Sequence, residues 1–291
     1  MIKYNPKNWF GLIFKFHKQE TFRQLFWVMI SISVYTALVC VLEIEVFNLS
    51  LTSSTLVHSL LGFIISMLLV FRTNTAYDRW WEGRKHWGAL VNVSRNLAIK
   101  VTELLERDKA NEKINLLQLI KYFPEALKNH LRDKPSNLTW AELPNFNNAR
   151  SKASHVPLEI ARLMQAEIAH LKKQKYVDDA QYYAMQKDVN NFMNICGACE
   201  RIKNTPIPYT YNIFIKKFIF AFIMTMPFGF VSTFGYWTIG ITIFTFYALA
   251  SLEIIAEEIE DPFGEDPNDL PTDNLALVIA KNIDEINSNL R

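Results

Sequence analysis

Basic residues are absent from two long stretches of this chain, and their absence restricts the folds open to it. No Lys or Arg lies between Arg23 and Arg72, and none lies between Lys217 and Lys281. The region from Arg72 to Lys203 is, by contrast, densely basic. The chain holds 31 Lys and Arg and 29 Asp and Glu in 291 residues, so its charges are segregated. This pattern predicts membrane-spanning helices on both sides of a helical domain that lies in water.

The stretches without basic residues are long enough for four spans. Residues 25–47 form the first run, whose 23 residues would extend about 34 Å as a helix. Residues 56–71 form a shorter run with small residues that allow close helix approach. Residues 213–252 can hold two more spans, with Pro227 and Gly235 near the turn between them. We therefore predict an all-α integral membrane protein with four transmembrane helices and a helical cytosolic domain.

The distribution of charge also predicts the orientation. Residues 43–55 contain two acids and no base, whereas the flanking regions are basic, so the positive-inside rule puts this loop outside and both termini in the cytosol. The predicted regions are an amphipathic N-terminal segment at 1–24, transmembrane helices 1 and 2 at 25–71, a cytosolic helical domain at 72–208, transmembrane helices 3 and 4 at 209–256, and an acidic cytosolic C-terminal segment at 257–291.

Apolar residues recur at three- and four-residue steps within the predicted cytosolic domain. This period predicts helices at 87–106, 114–131, 157–173 and 178–203. The segment 135–154 is rich in Asn, Pro and Ser, which predicts a loop.

Composition excludes some functions. A net charge of +2, without a basic module interleaved with aromatic residues, does not indicate a nucleic-acid partner. Cys196 and Cys199 have C-x-x-C spacing, but a single pair is weak evidence for metal or redox chemistry. No cofactor is predicted.

Three separated segments have an unusual composition. Residues 71–96 read F-R-T-N-T-A-Y-D-R-W-W-E-G-R-K-H-W-G-A-L-V-N-V-S-R-N, residues 206–211 read P-I-P-Y-T-Y, and residues 261–269 read D-P-F-G-E-D-P-N-D. The first combines arginine and tryptophan at the end of an apolar span, which suits the headgroup level of a membrane. Together the three segments resemble the signature of the bestrophin family of ion channels.

The resemblance implies a homopentamer with one ion path along its fivefold axis. Phe63, Met67 and Phe71 recur every fourth residue, a pattern that by itself is more typical of ordinary core. In the bestrophin family, however, these positions match three apolar side chains that line a narrow neck. A second constriction at the cytosolic exit would fall on Ile215. Rings of apolar side chains can gate a pore by excluding water.

Calcium-activated members of the family bind calcium through an acidic run after the last span. The matching acids are Asp261, Glu265, Asp266 and Asp269, but Pro267 interrupts the run. Calcium needs six to eight oxygens in a loop free to wrap around it, and a proline restricts that wrapping. The resemblance therefore gives only weak calcium candidates, and no other metal ligand is predicted.

These observations predict a passive ion channel in the bacterial inner membrane, with lipid and permeant ions as its other partners. The sign of the ion stays open, because animal bestrophins pass chloride whereas bacterial relatives can favour monovalent cations. Two alternatives stay open as well. One is a membrane-bound metal-dependent enzyme that uses the acidic motif at 261–269, and the other is a secondary transporter. The first lacks a second acidic motif, and the second lacks an inverted repeat.

Overall fold

A computed structural model of the chain describes residues 20–46, 55–105, 109–135 and 154–288. Every regular element in these ranges is a helix. They are α1 Glu20–Val41, which continues as a π-helical turn Leu42–Val46, α2 Thr55–Leu104, α3 Ala110–Leu131, α4 Val156–Lys173, α5 Asp179–Asn204, α6 Tyr209–Phe234, α7 Trp237–Glu260 and α8 Thr272–Ser288.

Four of these helices are long and apolar enough to cross a membrane. They lie at Thr21–Val46, Leu56–Leu104, Tyr209–Phe234 and Trp237–Glu260. The predicted all-α fold with four membrane helices is thus confirmed. Most of the predicted N-terminal segment and of the loop at 135–154, and part of the outer loop, lie outside the described residues.

The helix α2 is a single element of 50 residues. The predicted helix at 87–106 is present as the last part of α2, because no proline interrupts the chain between Phe71 and Trp87 and the helical hydrogen bonds continue to Leu104. The other three predicted helices are present as α3, α4 and α5, with each end within four residues of the prediction.

The chain divides into two compact units. The first, which we call the membrane unit, comprises the described residues up to Arg79 together with Pro206–Glu260. Its core is an apolar cluster from four helices that includes Leu25, Ile65, Ile219 and Phe246. The turn between α6 and α7 requires Gly235, whose φ of 53° is strained for residues with a Cβ.

The second unit comprises the described parts of Trp80–Thr205 and of Asp261–Arg291. Its core surrounds Trp87, Phe123 and Phe192, and the last two rings meet edge to face with centroids 4.9 Å apart. The helix α5 begins with a capping box, in which the Asp178 carboxylate accepts from Gln181 N–H and the Gln181 side chain accepts from Asp178 N–H.

Candidate functional site

The helix α2 carries the three predicted neck residues on one exposed face. The side chains of Phe63, Met67 and Phe71 are 66%, 49% and 52% exposed. Successive residues of a helix are turned by about 100°, so these three lie within roughly 80° of one another. The membrane unit therefore leaves this apolar stripe uncovered.

Polar residues lie on the same stripe. Ser59, Ser66 and Asn74 are exposed. The Ser66 hydroxyl donates to the carbonyl of Gly62 at 2.7 Å, which satisfies its proton within the helix. The stripe is therefore mixed rather than uniformly apolar.

The opposite face of α2 is buried in the membrane unit. Ile65 and Leu69 are almost fully buried in its apolar cluster, and Ala76 packs in a smaller cluster with Ile207 and Ala256. The helix thus has one packed face and one open face.

The buried face ends in an ion-pair cluster. The guanidinium of Arg72 is fully buried, with its Nη2 2.6 Å from Oε2 of Glu260 and its Nε 3.7 Å from Oε2 of Glu253. Glu260 Oε1 also accepts a hydrogen bond from Ile207 N–H at 2.6 Å, and the Glu260 carbonyl accepts from Arg79 Nε at 3.0 Å. One arginine of the sequence motif, Arg72, is thus ion-paired with the end of α7, and a second, Arg79, is hydrogen-bonded to it.

Sequence reasoning missed the acids of this cluster. Glu253 and Glu260 are seven residues apart and therefore share one face of α7. Acids on a buried face of an apolar helix require cationic partners, so this spacing was a usable signal.

The predicted aperture residue Ile215 is fully buried in the apolar cluster of the membrane unit. A side chain enclosed by its own subunit has no surface to offer to an ion path. This burial counts against the predicted exit constriction at Ile215. The neighbouring Lys216 forms an ion pair with Glu257, whose Oε2 lies 2.8 Å from the Lys216 Nζ.

The acidic segment after α7 forms a tight turn in the second unit. The carboxylate of Asp269 is buried and accepts a hydrogen bond from Asp266 N–H at 2.7 Å. Burial raises the pKa of Asp269 to about 7. A Cβ at Gly264 would lie 2.6 Å from Oδ2 of Asp269, so the turn depends on glycine there.

The weak calcium candidates gain no support from this geometry. Glu265 already pairs with Lys134 at 2.6 Å, and this hydrogen bond lowers the pKa of Glu265. Among the described residues, the only three side chains whose ligand atoms lie within 4.8 Å of one another are elsewhere, so Asp261, Asp266 and Asp269 are not gathered as a ligand set. Calcium binding stays a prediction.

The C-x-x-C pair lies in the core of the second unit. Cys196 and Cys199 are both fully buried. Burial, reinforced by the nearby Glu200 carboxylate, raises the pKa of Cys199 to about 12 and that of Cys196 as well. The thiolate that metal or redox chemistry needs is therefore disfavoured.

The family is decided by comparison with known proteins. A sequence profile of the bacterial and fungal bestrophin proteins matches residues 1–285. The chain belongs to the bestrophin family. Two relatives of this bestrophin, each named a voltage-dependent anion channel-forming protein, are 38% identical to it. The protein from Nostoc is matched over 236 residues, covering 78% of this chain and 76% of the relative. The protein from Synechocystis is matched over 233 residues, covering 77% and 75%.

Solved structures agree with the fold. A crystal structure of a bacterial bestrophin homolog from Klebsiella pneumoniae matches this bestrophin with a TM-score of 0.84. The match covers 91% of this chain and 99% of that one, at 24% identity. Together with its four apolar helices, family membership makes this bestrophin a multi-pass membrane protein.

Proposed function

We propose that this bestrophin is a channel that passes small monovalent anions, such as chloride, passively across the bacterial inner membrane. Two relatives at 38% identity are named anion channel-forming proteins. This agreement favours anions over the cations that the sequence also left open. It also favours a channel over a metal-dependent enzyme or a secondary transporter.

The observation that carries the proposal is the open stripe of α2. Phe63, Met67 and Phe71 are each about half exposed or more, although the other face of the same helix is packed. The same stripe contains the exposed Ser59 and Ser66, and a surface beside water accommodates both polar and apolar side chains. We assign the three apolar residues to the pore neck.

Five copies of the chain around one axis would enclose such a path. Each subunit would turn the open stripe of α2 towards the axis and its other membrane helices towards lipid. The three neck residues would then form three stacked apolar rings, which exclude water when the rings are narrow. The positive edge of each aromatic ring would favour an anion if it pointed at the path.

The charge pattern supports the orientation. We assign residues 72–208 and 257–291 to the cytosol, together with the N-terminal segment 1–24, and residues 25–71 and 209–256 to the membrane helices. The basic flanks of the spans, including Arg23 and Arg72, would then lie on the cytosolic side, as the positive-inside rule requires.

The proposal is tested by recording purified protein in planar bilayers under a potassium chloride gradient, without divalent metal or co-substrate. We expect single-channel currents that reverse near the chloride equilibrium potential. Reversal near the potassium equilibrium potential would show that the channel passes cations instead of anions. Absence of single-channel currents would support the secondary transporter or the metal-dependent enzyme. Native mass spectrometry in detergent should give five subunits, and a monomer or dimer would contradict the assembly.

A further inference from the structure

Three side chains from different parts of the second unit meet at a single carboxylate oxygen. Oε1 of Glu200 lies 2.7 Å from Nε2 of His130 and 2.8 Å from Nε2 of His155. The two imidazole rings stack, with centroids 4.3 Å apart and an interplanar angle of 26°. One potential ligand atom from each residue lies within 4.8 Å of the other two, and no second group of this kind occurs in the part of the chain that the structure describes.

We propose that His130, His155 and Glu200 form a binding site for a transition-metal ion, and that the ion is Zn²⁺. Two imidazoles and one carboxylate form a ligand set that zinc uses when its fourth position stays open to water. Hard cations such as calcium prefer oxygen ligands alone, so the two imidazoles select against them. The site is separate from the stripe of α2, and its test does not depend on the proposed channel function.

The three ligands are held by regular structure rather than by a loop alone. His130 lies in the last turn of α3, His155 is the N-cap of α4, and Glu200 lies near the end of α5. Their side chains are 28–30% exposed, so an ion can enter from solvent and a water molecule can complete its shell. A bound ion would join three helix ends.

The distances fit a site that holds protons in place of a metal. Zinc bonds of about 2.0–2.2 Å at tetrahedral angles separate neighbouring ligand atoms by about 3.3 Å. The two nitrogen-to-oxygen distances are 2.7 and 2.8 Å, as expected for hydrogen bonds. Metal binding therefore requires the three side chains to spread by about half an ångström, which changes of side-chain torsion can supply.

The hydrogen bonds identify the proton that must move on His155. Its Nδ1 accepts from Leu158 N–H at 3.2 Å, so in the neutral ring the proton is on Nε2 and is donated to Glu200. When the metal binds Nε2, this proton is transferred to Nδ1, and the N-cap bond to Leu158 is lost. Loss of an N-cap would lower metal affinity by about fivefold.

The test uses full-length protein in detergent, stripped of metal with a chelator and titrated with Co²⁺ as a spectroscopic substitute for zinc. We expect one ion per subunit, with the intense visible absorption of tetrahedral cobalt, and competition by Zn²⁺. Glu200→Gln and His130→Gln should each lower the affinity at least tenfold. His170→Gln removes an exposed histidine of α4 outside the cluster and should leave the affinity unchanged.

One further variant guards against misfolding. His155→Asn removes the imidazole ligand but supplies a good N-cap, so α4 should keep its start while the metal site is lost. Zinc should raise the melting temperature of the wild type but not of this variant. The proposal is overturned if the wild type binds no stoichiometric metal, or if His155→Asn and Glu200→Gln bind as tightly as the wild type.

Discussion

The Arg72 guanidinium and the Glu260 carboxylate approach within 2.6 Å in the interior of the membrane unit. Arg72 is fully buried and Glu260 nearly so. A buried charge left without its partner is strongly destabilising, whereas an exposed pair contributes little. This contact should therefore be one of the most sensitive points of the fold.

Glu260→Gln should cost about 3–5 kcal/mol of unfolding free energy, because it leaves the Arg72 charge with only the more distant Glu253. The control is Lys121→Met, which breaks the exposed pair with Asp284 in the second unit and should cost less than about 1 kcal/mol. Denaturant unfolding in detergent measures both. Equal costs for the two variants would show that Arg72 does not depend on Glu260.

The neck assignment predicts a change of conductance. Replacing Phe63, Met67 and Phe71 together by alanine should widen the proposed rings, raise the single-channel conductance and reduce closures. Phe244→Ala removes an exposed phenylalanine from α7 and should change neither quantity. Unaltered currents from a correctly assembled triple variant would show that the three residues pack against protein or lipid and do not line the pore.

Substitutions of Ile215 test whether this side chain belongs to the core or to the pore. Because its side chain is fully buried, Ile215→Ala should create a cavity and cost about 2–4 kcal/mol, while Ile215→Val should cost about 1 kcal/mol. Relative permeability among ions of one sign should stay unchanged in channels that assemble. A shift in permeability without loss of stability would mean that Ile215 lines the path after all.

Asp269 predicts a dependence of stability on pH. Its folded pKa of about 7 exceeds the ordinary 3.8, so the folded state binds more protons than the unfolded state between these values. The contribution of Asp269 to stability is therefore lost as pH rises through this window, by at most about 1.4 kcal/mol per pH unit.

Asp269→Asn should remove that dependence, because the Asn oxygen can still accept from Asp266 N–H while its amide carries no charge. Denaturant unfolding is measured with a chelator present from about pH 5 to about pH 8. The unfolding free energy of the variant should increase relative to that of the wild type as pH rises. Asp266→Asn, at an exposed acid of the same turn, is the control and should keep the dependence in a weaker form, because burial remains the main cause of the raised pKa of Asp269 and the Asp266 charge only adds to it. A pH-independent difference between Asp269→Asn and wild type would contradict this account.

The sequence alone determined the four membrane helices and the family. Both follow from one-dimensional signals. A run of apolar residues specifies a membrane span because lipid requires every backbone group to form its hydrogen bond within the helix. The family can be recognised from the sequence because its longest motif, which begins at Phe71-Arg72, is one continuous segment of the chain. The same reasoning predicted the helices of the second unit, since their apolar period is local.

Only the tertiary structure decided which side chains meet and which are enclosed. Helical spacing fixes the angle between Ile215 and Lys216 but not which of them faces the core. The pairing of Arg72 with Glu260 and the meeting of His130, His155 and Glu200 join residues that are at least 25 positions apart in the chain. Such contacts depend on how helices pack, because burial and charge pairing are properties of the assembled fold and not of any one segment.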